Sequence, residues 1–306
     1  MTTHFRRDAA PVLAVEPLTF ALITGTYAFW ALLLFGLGDA APWATALLLA
    51  PVITLHGSLT HEAVHGHPFR QDWANEALMF APLGLSVPYR RFRDLHLAHH
   101  QDQRLTDPYD DPESNYLDPA VWSSLPLALQ ILFRLNNTLL GRVVIGPLLG
   151  QVIFVRDEAR LIRAGERDVA RAWLLHGVGV GLVLAVVIWS GLPVWAYLLA
   201  VYLGTAILRI RTYLEHRAHE VCRARTVIIE DRGMLAFLFL NNNLHVVHHA
   251  HPNLPWHALP GMYQRGKARF QRMNEGYVYR SYGEVFRRYL LRRKDPVAHP
   301  LWSREG

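Results

Sequence analysis

The stretch Trp43-Ala44-Thr45-Ala46-Leu47-Leu48-Leu49-Ala50-Pro51-Val52-Ile53-Thr54-Leu55-His56-Gly57-Ser58-Leu59-Thr60 carries no acidic, lysine or arginine residue and runs straight into His61-Glu62-Ala63-Val64-His65. A helix that crosses a bilayer needs roughly 20 mainly apolar residues. Residues 43–60 are therefore expected to span a membrane and to present two histidines, four apart and on one helical face, at its surface.

Working outward, Leu18 to Leu37 forms a second such run, joined to the first by Gly38 to Pro42, a turn with Asp39 and no lysine or arginine. No small-residue cleavage site follows it, so it reads as a span and not as a cleaved signal. Trp173 to Trp189 and Val194 to Leu208 form another pair, joined by Ser190, Gly191, Leu192 and Pro193. The outer flanks carry Arg6 and Arg7 (with Asp8), then Arg163, Arg167 and Arg171, then Arg209 and Arg211. Positive flanks stay on the cytoplasmic side. This predicts four spans in two hairpins, with both termini cytoplasmic and both bare turns outside. The weaker apolar stretches, Ala77 to Val87 and Leu125 to Phe154, are broken by proline, glycine or polar residues and read as interfacial or half-inserted helices. Residues 210–306 read as a helical cytoplasmic cap. Trp43, Trp173 and Trp189 near span ends read as interface anchors. The expected fold is all-α and integral to the membrane, one domain over residues 1–306.

Composition agrees. Charged residues make up 18% of the 306 residues, against about 25% in a typical soluble domain. The formal net charge is +6, and apart from Lys267 and Lys294 the positive charge is arginine, a bias that points to a bacterial inner membrane. No nucleic-acid module is legible, so the basic balance points to anionic lipid. The single cysteine, Cys222, excludes an internal disulfide framework and a cysteine-rich metal site.

Histidine is the conspicuous residue, with 17 copies. Beyond the first box come His96-Leu97-Ala98-His99-His100 and His245-Val246-Val247-His248-His249. Helical spacing brings His96 to the side of His99 and His100, and His245 to that of His248 and His249. Any one pair could be a surface accident; three boxes on one membrane face point to metal. Imidazole suits zinc, copper, iron and nickel. A zinc site takes about four ligands, so eight box histidines imply two ions, and two irons beside a lipid phase suggest oxygen chemistry on an inert chain. A competing reading takes His61-Glu62-x-x-His65 as a zinc-protease signature with Glu62 as general base. That reading leaves the other six box histidines without a role. A metal-dependent transporter without redox chemistry is a further alternative.

The three boxes and their order resemble the membrane fatty acid desaturase family, which also contains lipid hydroxylases and carotenoid ketolases. Asn242-Asn243-Leu244-His245-Val246-Val247-His248-His249, with Pro252 and Pro255-Trp256-His257-Ala258-Leu259-Pro260, is similar to the third-box region of acyl-chain desaturases. Thr106-Asp107-Pro108 and Asp111-Pro112-Glu113 after the second box also match. The resemblance implies two Fe2+ ions, O2 as co-substrate, a lipid chain as substrate and a double bond as product. A hydroxylase or ketolase acting on a carotenoid or other lipid is the alternative within the family. No fused heme segment is present, which implies a separate, ferredoxin-like electron donor. The family commonly has a ninth histidine before the third box. Thr212-Tyr213-Leu214-Glu215-His216 resembles that element, which makes His216 the ninth ligand and His219 its competitor. Many relatives end the first box in adjacent histidines. Here Gly66 separates His65 from His67, and His67 stands as a possible further ligand.

The implied metal ligands are thus His61, His65, His96, His99, His100, His216, His245, His248 and His249. In this reading Glu62 fixes a ligand imidazole through its other nitrogen. Asp107, Asp110, Asp111 and Glu113 form either a solvated loop or a set of such partners, with Asp111 preferred by the resemblance. His56 and His176, inside spans, read as hydrogen-bonded core residues; His4, His251, His257 and His299 are set aside as non-ligands. The C-terminal cations Arg265, Lys267, Arg269, Arg272, Arg280, Arg287, Arg288, Arg292, Arg293 and Lys294 suit anionic headgroups or an acidic electron carrier.

Overall fold

The computed structural model describes residues 15–302. His4, Arg6, Arg7 and Asp8 lie outside the described residues. The chain is mostly helical, and four helices are long and apolar enough to cross a membrane: α1 (Pro17–Leu37), α2 (Pro42–Val64), and, much later, Arg167–Trp189 and Val194–Thr212. Between the two pairs lie α3 (Asp72–Leu78), α4 (Tyr89–His99), α5 (Pro119–Ser124), α6 (Leu127–Asn136), α7 (Leu139–Val144) and α8 (Gly146–Arg163), which makes the second pair α9 and α10. The cap adds α11 (Met234–Leu238), α12 (His245–Ala250), α13 (Leu259–Met273) and α14 (Tyr282–Tyr289). Among the described residues the cap has one sheet, a parallel pair of two-residue strands, β1 (Ile228–Ile229) and β2 (Val278–Tyr279).

Each hairpin starts and turns for local reasons. Pro17 opens α1, and the Glu16 carboxylate accepts hydrogen bonds from Leu18 N at 2.9 Å and Thr19 N at 2.8 Å, satisfying amide groups that have no partner within the helix. The α9–α10 turn uses Gly191 at φ +80°, where a side chain would be strained. Trp43 packs on Trp195 with ring centroids 4.6 Å apart, and Phe35 packs on Trp189 at 5.2 Å. These aromatics gather at the end of the bundle that holds the two charge-poor turns, as expected for a membrane interface. Outward positions such as Leu32, Leu47, Leu174 and Ile188 are large, apolar and exposed, which suits a surface bathed in lipid.

The bundle core is formed by Leu33, Leu34, Leu49, Ile53, Val183, Val187, Ala196, Tyr197 and Ala200. α2 and α10 approach closely at Gly204 of α10, where an added Cβ would lie 2.8 Å from Ala50 O and 2.9 Å from Ile53 Cγ2 of α2. Thr54 locks the same contact by donating to Gly204 O at 3.0 Å.

α2 continues from the apolar run through Val64, so His61 and Glu62 lie on the long helix itself and His65 caps it. One expectation is revised. The stretch 77–87 is not an interfacial helix. α3 ends at Leu78, and 79–88 is irregular backbone, with Leu85 at φ +56°. Pro82, Gly84 and Pro88 disfavour a helix there. The segment folds into the bundle, and side chains from the spans satisfy its carbonyls. Tyr27 Oη donates to Ala81 O at 2.9 Å, Tyr197 Oη donates to Leu83 O at 2.9 Å, and His176 Nε2 lies 3.0 Å from Leu85 O. Irregular backbone at membrane depth is tolerated only under such cover. His176 thus has a structural role, and so does His56, whose Nε2 is 3.0 Å from Tyr27 Oη.

The stretch 125–154 is helical but segmented into α6, α7 and the first half of α8, broken at Asn137 and Ile145. The cap closes over the box-bearing end of the bundle on a second core that includes Tyr213, Leu214, Val227, Phe239 and Tyr282.

Gly204→Leu should cost about 2–3 kcal/mol by overpacking the α2–α10 contact, seen as a lower thermal midpoint in detergent. Gly25→Leu, where nothing lies within 4 Å of the added Cβ, should leave the midpoint unchanged. Equal midpoints for the two variants would contradict this packing.

Candidate metal centre

Four chain segments meet beneath the cap. α2 ends at the first box, with His65 as its C-cap. α4 ends at the second box, with His100 as its C-cap. α12 carries the third box, and His216 lies just beyond α10. The carboxyl ends of α2 and α4 both point at the meeting place, and helix carboxyl ends favour cations.

The histidines fall into two groups, His61, His65, His96, His100 and His248 in one, His99, His216, His245 and His249 in the other, with candidate ligand atoms in each within 4.8 Å of one another. The groups do not follow the boxes. Each residue turns a helix by about 100°, so residues i+3 and i+4 lie on opposite sides of residue i. In the second box His96 and His100, four apart, serve the first group while His99 turns to the other. The third box does the reverse: His245 and His249 serve the second group and His248 the first. The stacked rings of His100 and His249, centroids 4.3 Å apart, mark the seam between the groups.

Proton counting shows that these rings fit cations. His96 Nδ1 lies 2.8 Å from Glu113 Oε1, so its single proton in the neutral form belongs there. Its Nε2 lone pair then faces His65 Nε2 and His100 Nε2, each 3.0 Å away. His99 Nδ1 pairs with Asp111 Oδ1 at 2.7 Å, and His245 Nδ1 with Asn242 Oδ1 at 3.0 Å. Their Nε2 atoms both face His216 Nε2, at 2.8 and 3.1 Å, which can offer a proton to only one of them. His61 Nε2 is buried with no hydrogen-bond partner among the described residues. Nitrogens bound at right angles to one ion with bonds of about 2.1 Å would stand roughly 3.0 Å apart, which matches the spacing here.

Electrostatics favour the same chemistry. Burial holds His100, His216, His245, His248 and His249 below the ordinary imidazole value, and repulsion between neighbouring rings adds to it. Both effects favour the neutral imidazole, the form that can offer a lone pair to a cation. Burial pulls His99 down too, but the Glu113 and Asp111 carboxylates outweigh it and lift the ring to about 9, so with no cation beside it this ring holds a second proton, which a bound metal would displace. Such a carboxylate fixes the tautomer and makes the other nitrogen a stronger ligand.

Asp111 is itself held by Thr106 N at 2.8 Å and Glu113 N at 2.9 Å. Glu62 does not reach an imidazole. It lies 3.8 Å from His61 Nδ1, and its other oxygen accepts from Trp256 N at 3.0 Å. One residue along a helix turns the side chain by about 100°, which carries Glu62 off the histidine face and onto the cap. His67 Nε2 lies 3.1 Å from Asn253 O, and His219 Nε2 lies 3.5 Å from Glu275; both stand outside the two groups. His251 packs its ring on Phe270, His257 pairs with Glu16 and His299 lies against Thr106.

Two contributors are not evident from the sequence patterns alone. Asn242 orients His245 directly. Glu215 lies 3.0 Å from Arg211 Nε and accepts from Asn242 Nδ2 at 3.3 Å. Both lie in the stretches that resemble the family, three residues before His245 and one before His216, but nothing in those stretches marks the direction of their side chains.

Asp111→Asn and Glu113→Gln should each weaken metal retention about 10–100-fold, measured as metal per chain after dialysis against a graded chelator series. The exposed Glu166→Gln should match the unaltered protein. Unchanged retention in both site variants would show that these carboxylates do not orient ligands.

Comparison with known proteins agrees with the geometry. The family model for fatty acid desaturase matches residues 38–281, an interval that holds three of the four long apolar helices, all three boxes and His216. No curated protein matches the chain significantly. The chain belongs to the fatty acid desaturase family, a family of membrane oxidoreductases that act on lipids.

Proposed function

We propose that this chain is an O2-dependent desaturase that introduces a double bond into a fatty acyl chain, with two iron ions held by nine histidines. The observation that carries the proposal is the division of the buried imidazoles into one group of five and one of four. In this reading His61, His65, His96, His100 and His248 hold one ion, and His99, His216, His245 and His249 the other. Such donor sets without thiolate suit iron. When bound, the ions supply the O2-dependent removal of hydrogen from an unactivated methylene, using electrons from a separate, ferredoxin-like carrier.

The protein's own part is to bind, orient and shield. Asp111, Glu113 and Asn242 fix the rings through their Nδ1 atoms. The cap and the bundle bury the rings from water. The segment around Pro255 and Trp256, whose sequence resembles that of acyl-chain desaturases, is tied down on three sides. Glu62 accepts from Trp256 N, Asn241 donates to Trp256 O at 3.1 Å, and Trp256 Nε1 donates to Thr19 Oγ1 of α1 at 3.2 Å. No side chain is required as a nucleophile. The zinc-protease alternative needs Glu62 as a base beside the ion, and that carboxylate is engaged by Trp256 instead.

The proposed setting is a bacterial inner membrane, with the metal centre and both termini cytoplasmic. The arginines at 163, 167, 171, 209 and 211 flank the spans at the end that bears the boxes, and the opposite turns carry none.

The test is a mass-spectrometric lipid profile of a host expressing the chain, beside one expressing His100→Ala. New lipids lacking two hydrogens, absent with His100→Ala, are the expected result. New lipids with one added oxygen would reassign the chain to hydroxylation or ketolation. Metal analysis of the purified protein should give two irons per chain; one zinc per chain would overturn the di-iron assignment.

A further inference from the structure

A cavity of about 770 Å3 lies between α6 and the C-terminal segment. One wall is α6, which contributes Ile131, Arg134 and Leu135; the other is the run Leu291, Arg292, Arg293, Lys294 and Asp295. Hydrogen bonds to main-chain carbonyls join the walls. Leu140 N donates to Leu290 O at 3.0 Å, Lys294 N to Asn137 O at 3.2 Å, and Asn137 Nδ2 to Asp295 O at 2.6 Å. The groove is therefore a fixed feature and its size falls in the range of small-ligand sites.

Its charges are unevenly used. Lys294 turns inward, with its ammonium donating to the carbonyl of His216 and lying 3.4 Å from Asp295. Asp295, the one carboxylate in the wall, also accepts from Tyr116 Oη. Among the described residues no carboxylate lies within 4.0 Å of Arg134, Arg292 or Arg293. Arg134 sits over the Trp122 ring at 5.4 Å, a contact that leaves its positive charge uncompensated. Three arginines therefore face one groove without counter-ions.

The surroundings are apolar. Leu127, Ile131 and Leu135, at four-residue spacing on one face of α6, are 66%, 47% and 52% exposed, and Leu291 is 73% exposed. In the groove wall, Lys294 Nζ lies 3.4 Å from the carbonyl of Tyr213, the C-cap of the spanning α10. This places the groove beside the box-bearing end of that span, at the edge of the bilayer. Cations beside an apolar helical face at that level are the features that recognise an acidic lipid.

We propose that this groove binds one anionic phospholipid, with Arg134, Arg292 and Arg293 on its phosphate and its acyl chains along the Leu127–Ile131–Leu135 face. None of the groove's lining residues belongs to the two histidine groups, and the proposal does not rest on the reaction assigned there.

The test uses the full-length protein in neutral detergent. Phosphatidylglycerol and phosphatidylcholine with the same acyl chains are titrated in turn, as is inorganic phosphate. Bound lipid is counted by native mass spectrometry, and the thermal midpoint is followed in parallel. One phosphatidylglycerol per chain is expected, with a preference over phosphatidylcholine on the order of 100-fold from three nearby cations, together with a raised midpoint. Arg292→Gln/Arg293→Gln should remove most of the preference. Arg265→Gln/Arg272→Gln, elsewhere on the cap, should retain it. Equal retention of the two lipids, or a midpoint shift reproduced by inorganic phosphate, would overturn the proposal on the unaltered protein, whatever the variants' folding. Equal loss in both double variants would also overturn it, by showing a diffuse charge effect.

Discussion

Nine imidazoles share a buried pocket with their ring nitrogens converging at about 3 Å. Much of the architecture serves that arrangement. A neutral ring carries one proton, and in the metal-binding form the protons of His99, His96 and His245 are committed outward to Asp111, Glu113 and Asn242. The inward lone pairs therefore repel one another unless a cation lies between them. Such a pocket cannot be stabilised by hydrophobic burial, so the polypeptide around it has to be held rigid by other means. The spanning bundle supplies α2, the amphipathic α4 supplies the second box, and the cap supplies α12 and His216.

The reciprocal splitting of the second and third boxes follows from helix geometry. A His-x-x-His-His motif places two rings on one side and one on the other, because the i+3 and i+4 positions straddle the first residue. Two such helices facing each other across a seam give two donor sets. The first box adds His61 and His65 to one set, and His216 is added to the other. Each set thus draws on residues from distant parts of the sequence, which makes the centre a cross-link between bundle and cap.

The membrane imposes a second constraint, visible in the irregular segment 79–88. Backbone carbonyls there have no helix to satisfy them, and a bilayer offers them no water. Tyr27, Tyr197 and His176 reach them from three different spans. Polar residues inside apolar helices are often functional suspects; here their function is to hold a wall of the bundle in place. The same logic applies to Thr54, which ties α2 to α10 beside Gly204.

The sequence by itself determined the four long apolar helices, the near-absence of strands and the three histidine boxes. Those properties depend on local hydropathy and spacing, which persist whatever the chain packs against. It did not determine that residues 79–88 avoid a helix, because that depends on hydrogen-bond partners that are up to 114 residues distant. Nor did it determine that Glu62 faces Trp256 and not an imidazole, or that His219 and His67 stand apart while His216 joins a group. Asn242 and Glu215 were silent for the same reason: a polar residue beside a histidine has no sequence mark that says which way it points. The split of each box between two donor sets was implicit in helical angles, but only the docking of the cap onto the bundle decided which ring faced which set.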